Sequence, residues 1–423
     1  MKILLKQVFV ASTTSLHTNK VVDILIENGV ITAIESTINV VNEAEIIDCS
    51  NCSITNGFID IFCQVGEPGF EAKETIETFA NAAFAGGVTT AFALPNTNPV
   101  VDNKSIVTFV QAKNKNLPIQ IIPLGSITQK LEGKQLAEMY DMHQAGAIAF
   151  TDGILPIQKA GIMLKALQYV KAFDGLLVQM PIDKSIGSHG VMNEGITSVQ
   201  LGLPGIPSIG EELLLKRDID LLGYTNSKLH ITGVSTKAAI DLITKAKQKN
   251  LNITCSCTPL HLLFCEEDLQ QYNTNLKLKV PLRTKEDRQA LIEAVENGVI
   301  DCITSHHLPE IIDNKVCDFM EAAFGAIGVQ TSFSALVMAL PNLSPSTVSR
   351  LMVDNAAKIF NVKLPAIEVG SICNVTVFNT AQTWHYSVQN NNSKANNSPL
   401  LNTNLQGKIV ACINNNQVFI NRN

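Results

Sequence analysis

Short apolar stretches alternate with longer amphipathic stretches through the middle of the chain. The short stretches are rich in β-branched residues and read as strands: GFIDIFCQV, TTAFALP, IQIIPLGSI, AIAFTDG, GLLVQMP, KLHITGVS, NITCSCTP and IDCITSH. The segments between them, such as AGIMLKALQYVKAF and TKEDRQALIEAVENG, carry apolar residues at helical spacing. This alternation predicts a parallel (β/α)8 TIM barrel over residues 56–365. A doubly wound open sheet is the alternative, but no GxGxxG follows a strand to favour it.

Both ends of the chain have a different pattern, with short β-branched runs and turn residues. ILLKQVFV, VVDILIENG and VITAIES lie near the start, and Asn28-Gly29 supplies a hairpin turn. GKIVACINNNQVFIN near the end predicts a second hairpin, and VQNNNSKANNSPLLNTN before it predicts a surface loop. We therefore expect residues 1–55 and 366–423 to form one small β-sandwich domain built from both termini.

Composition narrows the class of protein. The 423 residues are 46% hydrophobic, which is ample for a large core, and the net charge of −6 without a basic run argues against a nucleic-acid partner. No apolar run reaches the roughly 18 residues that span a membrane. The ten cysteines are scattered, with a single CxxC spacing at Cys49 and Cys52, and we expect buried, reduced thiols in a cytoplasmic protein.

In a barrel of this kind the chemistry lies at the carboxyl ends of the strands. The first candidate strand ends in Phe62 and Gln64, which share a face, followed by Gly66. A zinc hydrolase would need imidazoles or carboxylates there, whereas phenylalanine cannot ligate and an amide is a poor zinc ligand. No GxSxG elbow or Ser-His-Asp order suggests nucleophilic hydrolysis instead. The strand end therefore indicates an intact barrel without the usual reactive groups.

Longer motifs give a specific resemblance. In order along the chain these are GFID, EPGFEAKETIETFANAAFAGGVTTAFALPNTNPVVDN, GVMNEG, LGLPGIPSIGEE, VSTK, PLRTKEDRQALIEAVENGVIDCITSHH and NAAKIF. With them the chain resembles the dihydroorotase family of the amidohydrolase superfamily over nearly its whole length. The resemblance implies an amidohydrolase-type barrel with a small β domain and a role in cytoplasmic pyrimidine biosynthesis. An active member would open dihydroorotate to carbamoyl aspartate with zinc.

The resemblance also places the family's metal ligands on this chain. They fall at five positions, of which only Asp152 holds a residue able to ligate: Phe62, Gln64, Asp152, Gln179 and Gly233. One carboxylate cannot hold a zinc ion that needs about three protein ligands, and without the ion nothing activates the attacking water. We therefore expect no bound metal and no other cofactor.

The remaining functional positions are altered in the same way. Ser305 stands at the family's catalytic aspartate and cannot shuttle a proton between water and the leaving amide. Asn96 remains from the substrate-carboxylate clamp, whereas Gly66, Lys279 and Pro309 replace its other members. No catalytic position of the family is therefore intact.

Histidines elsewhere leave a replacement metal site open. His261, His306 and His307 could join Asp152, although we expect His306 to lean outward and structural roles to be the better interpretation. His230 lies three residues before Gly233, so in a strand it should face the other way. Histidines restored at positions 62, 64, 179 and 233 should recreate a zinc site if the barrel is intact.

Three functions are compatible with these observations. The first is a non-catalytic dihydroorotase-like protein that serves as scaffold or regulatory partner of aspartate carbamoyltransferase, as a homodimer or hetero-oligomer. The second is an active dihydroorotase, or another cyclic-amide hydrolase, with zinc in a divergent site. The third is a module that binds a pyrimidine-like ligand without converting it. Zinc content separates the second from the others.

Overall fold

The N-terminal segment folds as strands, as predicted. The computed structural model describes residues 1–39 and 43–422. Asn28 and Gly29 both have positive φ, 50° and 77°, which is what an Asn-Gly hairpin turn requires. The strands of this segment are β1 (Lys2–Val10), β2 (Val21–Glu27), β3 (Val30–Glu35), β4 (Glu45–Asp48) and β5 (Ser53–Asn56).

The middle of the chain forms a closed parallel barrel, and the eight predicted strand segments supply it. The strands after β5 are β6 (Phe58–Cys63), β7 (Val88–Ala93), β8 (Gln120–Pro123), β9 (Leu177–Gln179), β10 (Met192–Asn193), β11 (Gly205–Ile206), β12 (Leu229–Thr232), β13 (Ile253–Cys257) and β14 (Cys302–Ile303). β10 and β11 pair only with each other. The fourth barrel segment is reduced to Phe150, which bridges Gly125 and Leu177, and a bridge between Cys63 and His307 closes the ring.

Helices cover the outside of the barrel. They are α1 (Ile76–Ala85), α2 (Lys104–Ala112), α3 (Met139–Gln144), α4 (Ala160–Lys171), α5 (Ile196–Leu201), α6 (Ile209–Thr225), α7 (Lys237–Gln248), α8 (Pro259–Leu263), α9 (Lys285–Glu296), α10 (Ser332–Ala339), α11 (Pro345–Ser349) and α12 (Asn355–Phe360). Thr236 and Thr284 cap α7 and α9, each accepting a backbone N–H at 3.1 Å. These caps satisfy donors that the first helical turn leaves free. None of the helices in the described residues is long and apolar enough to cross a membrane.

The two ends of the chain meet in one sheet. The last strands are β15 (Asn374–Tyr386), β16 (Thr403–Asn414) and β17 (Gln417–Ile420). β15 pairs antiparallel with β5, which joins the C-terminal hairpins to the N-terminal strands in an eight-stranded sheet. The sheet has its own core, in which Ile24 and Ile54 pack with Val375 and Ile413. Both termini therefore build one sheet domain.

The Asn-rich segment 387–402, called the strap below, is not the solvent-exposed loop expected from its composition. Asn397 is buried, its Nδ2 donates to the carbonyl oxygens of Leu308 (3.0 Å) and Gly325 (3.1 Å), and its Oδ1 accepts from Glu310 N (3.1 Å). Asparagine amides thus satisfy backbone groups of the loops at the carboxyl end of the barrel, called the barrel mouth below. Because these backbone groups are hydrogen-bonded, the polar strap can pack against the barrel although its composition predicts solvent exposure.

Candidate functional site

Phe62 and His306 occupy the barrel mouth together. Phe62 is fully buried, and its ring centroid lies 4.5 Å from that of His306. The imidazole also bonds the Thr232 hydroxyl through Nε2 at 2.7 Å. His306 therefore points into the barrel, and the expectation that it leans outward is wrong. After β14 the chain leaves the extended conformation, and His306 has a left-handed backbone (φ 47°) that redirects its side chain.

Gly233 lies directly under that imidazole. A Cβ at this position would approach His306 Cε1 to 2.8 Å and Val280 Cγ2 to 3.0 Å. Its φ of +75° also favours glycine. A side chain at 233 and the imidazole of His306 therefore compete for the same space.

A buried polar chain runs down the inside of the barrel from His306. Thr232 accepts from Ser256 Oγ at 2.9 Å, and that oxygen contacts His230 Nε2 at 3.0 Å. His230 Nδ1 contacts Thr254 Oγ1 at 2.8 Å. Burial lowers the pKa of His230 and of His306 to about 3, so both imidazoles are neutral. The expectation that His230 faces away from the Gly233 region is therefore wrong, because Gly233 has left regular strand geometry.

Asp152 is buried, and both of its oxygens accept hydrogen bonds. Oδ1 accepts from the backbone N–H groups of Ile127 and Thr128, each at 2.9 Å, and Oδ2 accepts from the Thr128 hydroxyl. Burial raises the pKa of Asp152 to about 6, against the lowering effect of these bonds. The carboxylate therefore holds the loop after β8 in place.

Gln179 is directed towards the helical layer. Its Oε1 accepts from Ile157 N at 3.3 Å, and its Nε2 donates to Ile157 O at 3.2 Å and to Asp218 Oδ2 at 3.3 Å. Asp218 lies on α6 and is paired with Arg217. A histidine substituted at 179 would start from a position aimed at α6. The Gln179 side chain thus does not converge with Gly233 on a common point.

Gln64 and Asn96 form hydrogen bonds with the loops around them. Gln64 Nε2 donates to Asn96 O at 3.4 Å. Asn96 Nδ2 donates to Asp152 O at 3.2 Å, and Oδ1 accepts from Ile154 N at 3.2 Å. Asn96, predicted as a remnant of a substrate clamp, uses its amide to join two loops.

Ser305 is hydrogen-bonded to Asp60, a residue that was not predicted from the sequence. Its backbone N–H donates to Asp60 at 3.1 Å, and its Oγ accepts from His307 N at 3.1 Å. Asp60 also accepts from the Thr304 hydroxyl at 2.6 Å and is almost fully buried. An acidic residue inside the apolar run GFIDIFC is the signal that could have revealed it, since a buried carboxylate needs such partners.

The other predicted clamp positions do not form an anion fork. Gly66 has φ +79°, and a Cβ there would meet Glu74 O at 1.9 Å, so no larger side chain fits without a shift of the backbone. Lys279 is half-buried, its Nζ lies 5.3 Å from the Phe324 ring centroid, and burial lowers its pKa. Pro309 is buried beside the strap contacts.

Little space remains at the barrel mouth. The cavity between His261, Lys279, Ser305 and His306 has a volume of about 20 Å³. That volume holds about one water molecule. A ring the size of a pyrimidine does not fit without movement of these side chains.

The other two candidate histidines are also engaged. His261 Nδ1 contacts Thr258 Oγ1 at 2.7 Å and Nε2 contacts Val280 O at 3.0 Å, and burial lowers its pKa to about 4. His307 Nε2 contacts Glu74 Oε2 at 3.4 Å. In the part of the chain that the structure describes, no three His, Cys, Asp or Glu side chains are grouped to hold a metal ion.

These placements decide whether zinc fits. The candidate ligands are non-ligating, committed to other bonds or directed apart, so the residues present do not fit a zinc ion. Histidines at 62, 64, 179 and 233 are likewise not expected to recreate the site, because His306 blocks position 233 and position 179 faces α6. The replacement site built from His261, His306, His307 and Asp152 is not formed.

A closed barrel carrying a sheet domain made from both chain ends defines the amidohydrolase class of fold. Solved structures of this shape include the L-hydantoinase (dihydropyrimidinase) from Arthrobacter aurescens, with TM-score 0.83, 19% identity and coverage of 99% of this chain and 96% of that one. The D-hydantoinase from Thermus sp. has TM-score 0.81 and 19% identity over 99% and 95% of the two chains.

Sequence comparison narrows the class to a family. The family model for dihydro-orotase-like proteins matches residues 53–239. The dihydroorotase of Thermoanaerobacter sp. (strain X514) is 37% identical over 394 residues, covering 92% of this chain and 91% of the relative. That of Aquifex aeolicus (strain VF5) is 37% identical over 395 residues, covering 92% and 93%. The chain belongs to the dihydroorotase family.

Proposed function

We propose that this protein is a dihydroorotase-family member without hydrolase activity. The observation that carries the proposal is the filled barrel mouth, where the ring centroids of Phe62 and His306 lie 4.5 Å apart and His306 covers Gly233. A substrate ring would need the space that these side chains occupy. The proposal also explains why buried polar groups of the mouth bond one another, as in a structural core.

The chemistry of the remaining groups supports the same conclusion. Ring opening of a cyclic amide needs an activated water and a group that transfers its proton to the leaving nitrogen. Ser305 offers a hydroxyl whose oxygen already accepts from His307 N, and His306 is neutral and bonded to Thr232. Neither of these groups is placed to activate water.

We further propose that the protein acts as a scaffold or regulatory partner of aspartate carbamoyltransferase in pyrimidine biosynthesis. A complete barrel with a packed mouth still offers its outer surface to a partner. Exposed apolar side chains on α5, Ile196 (78% exposed) and Val199 (81%), are of the kind that partners bury. They lie one helical turn apart, so substitutions at both positions can test whether α5 contacts the partner.

Metal content and turnover test the first proposal. Protein purified without chelator is expected to contain no stoichiometric zinc and to leave dihydroorotate and carbamoyl aspartate unconverted. Stoichiometric zinc with ring-opening activity that Asp152→Ala abolishes would show instead an active dihydroorotase with a divergent site. A dihydroorotase whose ring-opening activity is measured in the same assay serves as the positive control.

Co-purification tests the second proposal. The protein and the aspartate carbamoyltransferase of the same organism are mixed and sized by light scattering after gel filtration. A defined complex is expected, and the pair Ile196→Asp and Val199→Asp should weaken it if α5 is the contact. The matched control is Ile196→Ala and Val199→Ala, which removes the side chains without adding charge. A protein that stays a monomer or homodimer at all concentrations contradicts the partner proposal.

A further inference from the structure

A second, larger cavity lies beside the barrel mouth, between the strap and the loop that follows β14. Its volume is about 440 Å³, within the usual range for sites that hold small organic molecules. The strap supplies residues 394–397, and the loop supplies residues 310–312 and 315–316. Residues 72–73 and 274–275 complete the walls. None of the family's metal, catalytic or substrate-clamp positions lines it.

Lys315 is the most buried charge of this cavity, with 6% of its surface exposed. Its Nζ donates to the carbonyl oxygens of Thr274 (2.8 Å) and Ala323 (2.7 Å), which leaves one N–H of the ammonium without a partner in these contacts. Burial lowers the pKa of Lys315 to about 8, although Glu310 opposes this effect. A buried ammonium held only by carbonyl oxygens is costly, and an anion beside it would offset that cost.

The other charges of the lining leave the cavity positive. Lys73 pairs with Glu310 at 2.7 Å, and the second oxygen of Glu310 accepts from Asn314 Nδ2 at 2.8 Å. Lys394 is exposed, and its Nζ donates to Glu71 O at 2.7 Å. Three lysines and one glutamate therefore line the cavity, and that glutamate is already paired with Lys73.

One further feature describes what could fill the space. Ile312 and Val316 line the same cavity, although 69% and 76% of their surfaces are exposed. The cavity thus combines positive charge with an apolar edge.

We propose that this cavity binds a small organic oxyanion, a phosphate or carboxylate carried on an apolar or ring-shaped body. The oxyanion lies against Lys315 and Lys394, and the body packs on Ile312 and Val316. The inference does not depend on the role as a partner of aspartate carbamoyltransferase. It also does not depend on the loss of hydrolase activity, since none of the family's metal, catalytic or substrate-clamp positions lines the cavity.

Calorimetric titration of the full chain with three probes tests it. Phenyl phosphate and benzoate each join an oxyanion to a ring, and inorganic phosphate lacks the ring. At least one ring-bearing probe is expected to bind with one-to-one stoichiometry and more tightly than inorganic phosphate. The comparison of phenyl phosphate with benzoate shows which oxyanion the cavity prefers.

Substitutions locate the bound probe. Ile312→Asp places a carboxylate at the exposed wall and should weaken binding about tenfold, whereas the isosteric Ile312→Asn should change it far less. Lys315→Met should weaken binding about tenfold or more, because it removes a charge-assisted bond. Lys315→Met changes a buried group and could fail to fold for that reason. In that case the comparison of Ile312→Asp with Ile312→Asn, both at an exposed position, tests whether the probe binds in this cavity.

The pH dependence gives a readout specific to Lys315. Phenyl phosphate keeps a constant charge above about pH 7.5, so a fall in affinity between about pH 7.5 and 9 reports loss of the Lys315 proton, with Glu310, Lys277 and Cys317 as its charged neighbours. Lys315→Met should abolish that fall. No saturable binding of any probe, or equal binding by Ile312→Asp and Ile312→Asn, overturns the proposal.

Discussion

At the scale of single residues, Gly233 carries the clearest consequence of the packed mouth. We expect Gly233→His to destabilise the protein, because the new Cβ would lie 2.8 Å from His306 Cε1 in a left-handed backbone. The backbone contributes about 1–2 kcal/mol and the overpacking about 1–3 kcal/mol more. Urea unfolding measures the sum.

A matched control separates the two contributions. Gly133 also has a left-handed backbone (φ +64°), but a Cβ there meets nothing within 4 Å. Gly133→His should therefore show only the backbone cost. Equal losses for the two variants would mean that His306 does not fill the space above Gly233.

Three buried histidines predict how stability depends on pH. Burial lowers the pKa of His230 and His306 to about 3 and of His261 to about 4, from an ordinary 6.5. Below pH 6.5 these histidines are therefore protonated in the unfolded chain but stay neutral in the folded chain. Stability falls as the pH falls from 6.5 towards 3. Burial raises the pKa values of Asp152 and Asp218 from 3.8 to about 6. The folded chain therefore binds these two protons more readily than the unfolded chain, which adds stability as the pH falls from about 6 to 3.8.

The histidine contribution can be measured by removing one member. His306→Gln should lower the slope of unfolding free energy against pH near pH 5 by about 1.4 kcal/mol per pH unit, which corresponds to one proton. Urea unfolding at several pH values between 4.5 and 7 gives the two slopes. Equal slopes of unfolding free energy against pH for the variant and the parent would contradict this prediction. They would show that His306 is protonated as readily in the folded chain as in the unfolded chain.

At the scale of elements, the strap depends on one buried carboxylate. Glu74 accepts from the Ser393 hydroxyl, from Lys394 N at 2.9 Å and from the Thr78 hydroxyl, and His307 lies at 3.4 Å. Burial opposes ionisation, but these bonds and His307 hold the pKa of Glu74 below its ordinary value.

We expect Glu74→Gln to loosen the strap while the sheet stays intact, since a neutral amide accepts weaker hydrogen bonds than a carboxylate. Hydrogen exchange should quicken at the amides of residues 393–397 and stay unchanged in β1 and β2. Glu71→Gln is the control, because Glu71 contacts the strap through its backbone carbonyl oxygen. Unchanged exchange in the strap would mean that the Asn397 contacts alone hold it.

The elements also show how far sequence could predict this structure. Strand periodicity predicted the barrel and the sheet built from both ends, because buried strands and Asn-Gly turns leave strong local patterns. It could not predict the direction of His306 or the path of the strap, because these depend on a left-handed backbone and on contacts between distant segments. Motif positions located Gly233 and Gln179, but only packing shows what each faces.

At the scale of the whole molecule, the barrel and the sheet share a junction that a single fluorophore can report. Phe378 of β15 packs on Phe58 of β6 at 6.0 Å and on Phe333 of α10 at 5.1 Å. Trp384, the only tryptophan, donates from Nε1 to Ser334 Oγ at 3.0 Å across the same junction.

We expect tryptophan fluorescence and circular dichroism to report one coincident unfolding transition, because the sheet and barrel bury this junction together. Phe378→Ala should lower stability by about 3–5 kcal/mol and should separate the two transitions if the junction couples them. Ile312→Ala, an exposed change away from the junction, serves as control. Separate transitions in the parent protein would contradict the coupling.

The contact between His306 and Gly233 also bears on how this molecule could change over generations. A side chain gained at 233 meets the imidazole, and an imidazole lost at 306 removes the ring beside Phe62 and one hydrogen-bond partner of Thr232. Each single change is therefore expected to lower stability. We expect related sequences with an open barrel mouth to differ from this chain at positions 233 and 306 together, rather than at either position alone.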